Sequence, residues 1–143
     1  MVDHRLEAVA GEPLHVVTEP TRVSNYPGGT ILAVGRYVYA PENTLSRQML
    51  MQWNAIGGYL YVRNEAPSWL AGSDSLASQR GTVGEIWWGY TDAAETTSVG
   101  FGTPRGPVED LDWRSSILGV AYNRTLNDAE AMRVIRWMIP RLG

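Results

Sequence analysis

Cysteine and lysine are both missing from this chain. Without thiols there can be no disulfide framework and no thiolate metal site, and redox chemistry says nothing about compartment. All twelve basic residues are arginine. Arginine and lysine solvate a surface equally well, so the skew reads as the codon bias of a GC-rich genome, not as a mechanism. The net charge of −3 offers no basic field to a phosphate backbone, which argues against nucleic acid as a partner. Histidine is confined to His4 and His15, near the N-terminus, which leaves little material for a hydrolytic triad or a His-rich metal site. G-x-S-x-G, H-E-x-x-H and P-loop patterns are also lacking. No apolar run is long enough to span a bilayer, and the first residues lack the apolar stretch of a signal peptide. A soluble protein made in the cytoplasm, with no membrane partner, is therefore expected.

What is present describes an ordered globular chain. At 143 residues, 44% hydrophobic and 19% charged, it can build one domain with a substantial core and no staples. Six Trp and seven Tyr stand against a single Phe. Amphipathic rings of that kind suit half-buried surfaces and interfaces.

Residues 1–29 show no sustained period and are punctuated by Pro13, Pro20, Pro27 and Gly28-Gly29. They read as an N-terminal arm with one short strand near residues 14–18. From Thr30 the pattern becomes β. In residues 30–39, Leu32, Val34 and Val38 share one face, and Ile31, Ala33, Tyr37 and Tyr39 the other, so this strand should be covered on both sides. Further strands are expected over residues 48–53, 59–63, 82–91, 97–101 and 116–122. Residues 66–81, rich in Ser, Gly and Ala, read as a long loop with at most a short strand, and residues 102–107 as a turn-dense connection. Seven or eight short strands separated by Gly and Pro predict an antiparallel sandwich over a βαβ architecture.

The C-terminal thirty residues carry the strongest local signal. After the last strand, Asn127 can cap a helix and Glu130 can complete a capping box, with Met132, Ile135 and Ile139 at helical spacing. The run Tyr122-Asn123-Arg124-Thr125-Leu126-Asn127-Asp128-Ala129-Glu130 resembles the closing "YNR-x-L-[ST]-x-x-E" segment of laminin-G-like, or concanavalin-A-like, jelly rolls. Thr30, Ile31, Val34 and Arg36 agree with that family's opening-strand pattern. The resemblance implies an all-β fold, an antiparallel β-sandwich with a short C-terminal helix, divided into an arm (1–29) and a jelly-roll domain (30–143).

Candidate chemistry is sparse. Glycan-cleaving relatives set carboxylates on one strand face, and retention needs two carboxyl groups about 5–5.5 Å apart. The densest acidic run here, Glu109-Asp110-Leu111-Asp112, does not match that motif and reads as a solvated loop. No catalytic residue, cofactor or metal is assigned: Asp92, Glu95, Glu109, Asp110 and Asp112 lack the spacing of a calcium site. Aromatic residues remain. In the predicted strand containing Trp87 and Trp88, the two rings must face opposite sides. Ile86, Trp88 and Tyr90 are expected on the core face, with Val83, Glu85, Trp87 and Thr91 on a more polar one. Trp69 sits in the Ser/Gly-rich stretch beside Pro67. Trp69, Trp87, Tyr59 and Tyr61 are the expected interface or glycan-contact residues.

The resemblance points to a non-enzymatic structural protein of a tailed-phage virion. Such proteins decorate the capsid or attach to the tail, docking by repeated contacts on a major capsid or tail protein and commonly as homo-oligomers. Under this reading the N-terminal arm runs outside the sandwich onto a neighbour, and its removal leaves folding intact. The alternative is a carbohydrate-binding module for host-surface adhesion. An exposed Trp beside Asp, Asn or Glu in a groove would favour the glycan, and an arm-mediated or flat apolar contact the structural role.

Overall fold

Eleven strands and a C-terminal helix are arranged in three layers: sheet, sheet and helix. The computed structural model describes residues 6, 8–41, 46–54, 56–73, 77–104 and 110–143. The strands are β1 (His15–Val17), β2 (Thr21–Tyr26), β3 (Gly29–Arg36), β4 (Arg47–Asn54), β5 (Gly58–Arg63), β6 (Trp69–Ala71), β7 (Gln79–Val83), β8 (Ile86–Ala93), β9 (Thr96–Phe101), β10 (Asp110–Leu111) and β11 (Ile117–Ala121). One sheet has the order β1-β11-β3-β8-β7, the other β2-β9-β4-β5-β6. Every ladder is antiparallel except the short parallel pairing of β10 with the start of β4. The pairs β1·β11, β2·β9, β3·β8 and β4·β5 nest inside one another along the chain. That nesting wraps one long hairpin across two sheets, which is the connectivity of a jelly roll. Strands β6 and β7, inserted between β5 and β8, add one edge strand to each sheet.

The expected two-sided burial of β3 has a clear cause. Ile31 and Ala33 enter the core between the sheets, with Leu50, Met51, Leu60, Val99 and Phe101. Leu32 and Val34 point the other way, with Leu118, Val120 and Tyr122, under the C-terminal helix (Asp128–Met138) through Ala131, Val134, Ile135 and Met138. Val38 and Tyr39, assigned to the same strand from the sequence, lie beyond its end at Arg36 and are exposed.

The N-terminal segment differs from the expected arm. Leu6 and residues 8–10 are helical, and Leu6 and Ala10 are buried in the helix-side core. Strand β1 joins one sheet by pairing with β11, and β2 joins the other by pairing with β9, with Val23 and Tyr26 buried between the sheets. The physical reason is edge completion: β11 and β9 each have an open side that only the N-terminal residues cover. Two further expectations change. Residues 82–91 are not one strand, because Gly84 (φ 61°) and Glu85 form a two-residue turn between β7 and β8. The acidic run is not a purely solvated loop either: Asp110 lies in β10 and pairs with Arg47 at 2.7 Å. His4 and Glu109 lie outside the described residues.

The closing segment is a structural latch. Thr30 N–H donates to the Arg124 carbonyl and Tyr122 N–H to the Thr30 carbonyl, while Thr30 Oγ1 accepts from Leu126 N–H at 2.8 Å. Arg124 donates to the Ala10 carbonyl, and the Tyr122 hydroxyl to the Gly11 carbonyl at 3.2 Å. The helix then starts at Asp128 with both halves of the capping box formed: Asn127 Oδ1 accepts from Glu130 N–H at 2.8 Å, and Glu130 Oε1 from Asn127 N–H at 3.2 Å. The Glu130 carboxyl is held below its ordinary pKa first by that backbone N–H and then by Arg124 and Arg133. Asn127→Ala should lower stability by about 1 kcal/mol in urea unfolding, through loss of the cap.

Candidate functional site

On the side of the sandwich where β6 and β7 form the two free edges, the sheets part to leave a groove of about 650 Å³. Register decides what lines it. Trp69 pairs with Val62 across the β5·β6 ladder and so points, like Val62, between the sheets. Trp87 pairs with Gly35 and Thr82, and its ring also packs toward the inter-sheet core. The two indoles meet edge to face, with centroids 4.9 Å apart. Around them lie Ser68, Ser78, Gln79, Arg80 and Thr82.

The inner face of β7 is the anomaly. Arg80 pairs with Gly89, whose open side faces Leu60 and Met51 in the core, and Thr82 pairs with Trp87. Inward positions of a sandwich are ordinarily apolar. Here the last strand substitutes a guanidinium and a hydroxyl, so the sheet edge cannot close over the core and polar donors line its mouth. Arg80 Nη1 donates to Ser78 Oγ at 3.1 Å, which fixes the direction of the side chain.

Behind the mouth the tryptophans rest on a rigid support. Trp87 contacts Tyr37 (6.1 Å between centroids), and Tyr37 contacts Trp113 edge-on (6.3 Å). The Tyr37 hydroxyl donates to Asn64 Oδ1 at 3.1 Å, an oxygen that also accepts from Gln48 Nε2 at 2.7 Å. Burial, then the neighbouring Tyr39, raises the Tyr37 pKa, so the ring stays neutral and donating. Trp113 Nε1 donates to the carbonyls of Arg36 and Ser116, both at 3.1 Å. A chain of satisfied polar groups of this kind holds aromatic rings in one orientation before any ligand arrives.

The four residues expected to act together are thus divided. Trp69 and Trp87 share the groove. Tyr59 and Tyr61 stack on each other, 4.8 Å apart, but on the opposite face of their sheet, since they alternate with the inward Leu60 and Val62. Tyr61 is nearly inaccessible under Arg47, whose guanidinium lies 5.1 Å from its ring centre, and burial followed by Asp110 raises its pKa. It is an interior residue, not a contact surface. Trp88 packs on the helix-side layer over Gly81, stacked with Tyr90. The polar lining of the groove was missed from the sequence because residues 66–81 read as loop. The Val83-Gly84-Glu85-Ile86 turn signal would have exposed it, by placing a separate strand before the turn.

Among the described residues, no group of three or more His, Asp or Glu side chains is placed to hold a metal ion. Asp110 is engaged by Arg47, and Asp112 accepts from Thr103 Oγ1 at 2.8 Å. No described helix is long and apolar enough to cross a membrane. No family model, curated protein or solved structure matches the chain.

Proposed function

We propose that the protein is a non-catalytic carbohydrate-binding module whose ligand lies in the groove between β6 and β7. The observation that carries this reading is the pairing of Trp69 and Trp87 at a mouth lined by hydroxyl and guanidinium donors. A sugar ring presents C–H faces to aromatic rings and hydroxyls to polar side chains, and this groove offers both. The groove is open to solvent along its length, unlike the enclosed clefts that bury most of a small ligand, and so suits a saccharide lying across the surface. The Asp, Asn or Glu set beside the Trp that the sequence named as favouring a glycan is absent among the described lining residues; Ser, Thr and Arg side chains are there instead, and these also bond sugar hydroxyls.

Calorimetric titration against a panel of soluble oligosaccharides tests the proposal. At least one class should bind without release of cleavage products, and Trp69→Ala should weaken it by at least about tenfold, equivalent to roughly 1.4 kcal/mol. Tyr59→Ala, on the far face, should bind as the wild type does. A folded protein that binds no member of the panel would overturn the proposal.

A second reading, a tailed-phage virion protein docked on a capsid or tail lattice as a homo-oligomer, is favoured by one observation. Strand β1 is a sheet edge, and Val16 on it and Leu14 just before it are 46% and 40% exposed. An unpaired edge with apolar side chains is suited to a second chain. Under this reading the protein is made in the host cytoplasm and ends in the virion, and the contact is made by β1 within the sandwich instead of by a free arm.

A further inference from the structure

The groove's only charge among the described lining residues is Arg80. It carries five N–H donors, and a single hydrogen bond, to Ser78 Oγ, fixes it. No carboxylate among the described residues lies within ion-pair distance of it, whereas Arg36, Arg47 and Arg124 each have one. A half-buried guanidinium turned inward beside two indoles, with no counter-charge among the described residues, is costly for the protein alone. That cost is offset when a ligand brings the anion.

We infer that the ligand is an acidic glycan, one whose sugar carries a carboxylate that pairs with Arg80 while its ring lies against Trp69 and Trp87. This rests on the carbohydrate-binding reading and narrows it. A planar carboxylate is the natural match: the guanidinium fork can take it through two parallel bonds, a geometry lysine cannot reproduce. Ser68 and Thr82, which line the same groove, face the sugar hydroxyls. Inward charges on edge strands also discourage strand-to-strand aggregation. That role makes no demand on a ligand, so a preference for the acid over its neutral twin separates the two explanations.

The test uses matched pairs that differ only in the acid: oligogalacturonates against their methyl esters, and sialyllactose against its methyl ester. For whichever pair binds, the acid form should bind roughly ten- to a hundredfold more tightly than its neutral twin, as charge-assisted pairing predicts. The preference should fall as salt rises from 20 to 500 mM, because half-buried charges remain partly screened. In Arg80→Gln the acid-to-neutral ratio should collapse toward one, and Arg80→Lys should restore only a small part of it. Equal affinity for acid and neutral twins would overturn this inference and leave the carbohydrate-binding reading standing. So would a full ratio in Arg80→Gln. No binding to either member of either pair, together with none across the wider panel, would overturn both.

Discussion

Deleting residues 1–13 should destabilise the isolated domain severely, lowering its thermal midpoint by roughly 10–20 °C if it folds at all. Leu6 and Ala10 are 2% and 5% exposed and sit against Leu32, Val120, Tyr122 and the C-terminal helix. Removing a buried leucine costs about 2–5 kcal/mol through lost transfer energy and the cavity left behind. Two hydrogen bonds go with it, from Arg124 to the Ala10 carbonyl and from the Tyr122 hydroxyl to the Gly11 carbonyl. Each contributes about 1 kcal/mol, and more where the abandoned donor stays covered. The sum is a large part of the 5–15 kcal/mol by which an ordinary domain is stable. Calorimetry of the truncated protein, with Leu6→Ala beside it, measures this. An unchanged midpoint in both would mean that the segment is an arm after all.

Gly29→Ala should be severely damaging for a single added methyl. Gly29 has φ 141°, and a Cβ there would stand 2.4 Å from the Tyr122 carbonyl oxygen and 2.7 Å from the Arg124 nitrogen. Both are backbone atoms of the latch that joins β11 to the helix, so no side-chain rotation relieves the clash. A loss exceeding about 3 kcal/mol is expected, from overpacking and an unfavourable backbone conformation together. Gly84→Ala is the matched control. Gly84 also has positive φ, 61°, but nothing lies within 4 Å of its Cβ position. It should lose only the conformational term, about 1–2 kcal/mol. If urea unfolding finds the two variants equally destabilised, close packing at the latch is not what demands glycine at position 29.

Where the sequence spoke clearly, a local physical signal was strong. Strands β3, β5, β9 and β11 alternate or run apolar between Gly and Pro, and the Asn127–Glu130 box marks the helix start to the residue. Strand β2 escaped notice because its six residues, TRVSNY, are mostly polar and lie between Pro20 and Pro27. Its only claim to be a strand is the open edge of β9, a tertiary fact. Strand β10 is two residues long and owes its form to the start of β4. Faces were harder to read than strands. The register of β4 against β5 shifts between Met49 and Met51, so the consecutive residues Leu50 and Met51 both join the inter-sheet core and simple alternation fails. Grouping Tyr59 and Tyr61 with Trp69 and Trp87 required knowing that β6 pairs Trp69 with Val62 and not with Tyr61. That is cross-strand register, which parity within one strand cannot supply. The closing run 122–130 is held by hydrogen bonds to Thr30, Ala10 and Gly11, all of them structural.

The claim on which the functional account depends is that a sugar ring lies against Trp69 and Trp87. The chain has six tryptophans, and each indole N–H gives its own signal in a nitrogen–proton correlation spectrum. Titrating the labelled protein with the tightest-binding oligosaccharide should move the Trp69 and Trp87 signals progressively and saturably. Those of Trp88 and Trp137, which pack on the helix-facing side of the sheet that carries Trp87, should stay in place. Shifts confined to Trp88, Trp137 or Trp53, or a spectrum that does not respond to any oligosaccharide, would contradict the account.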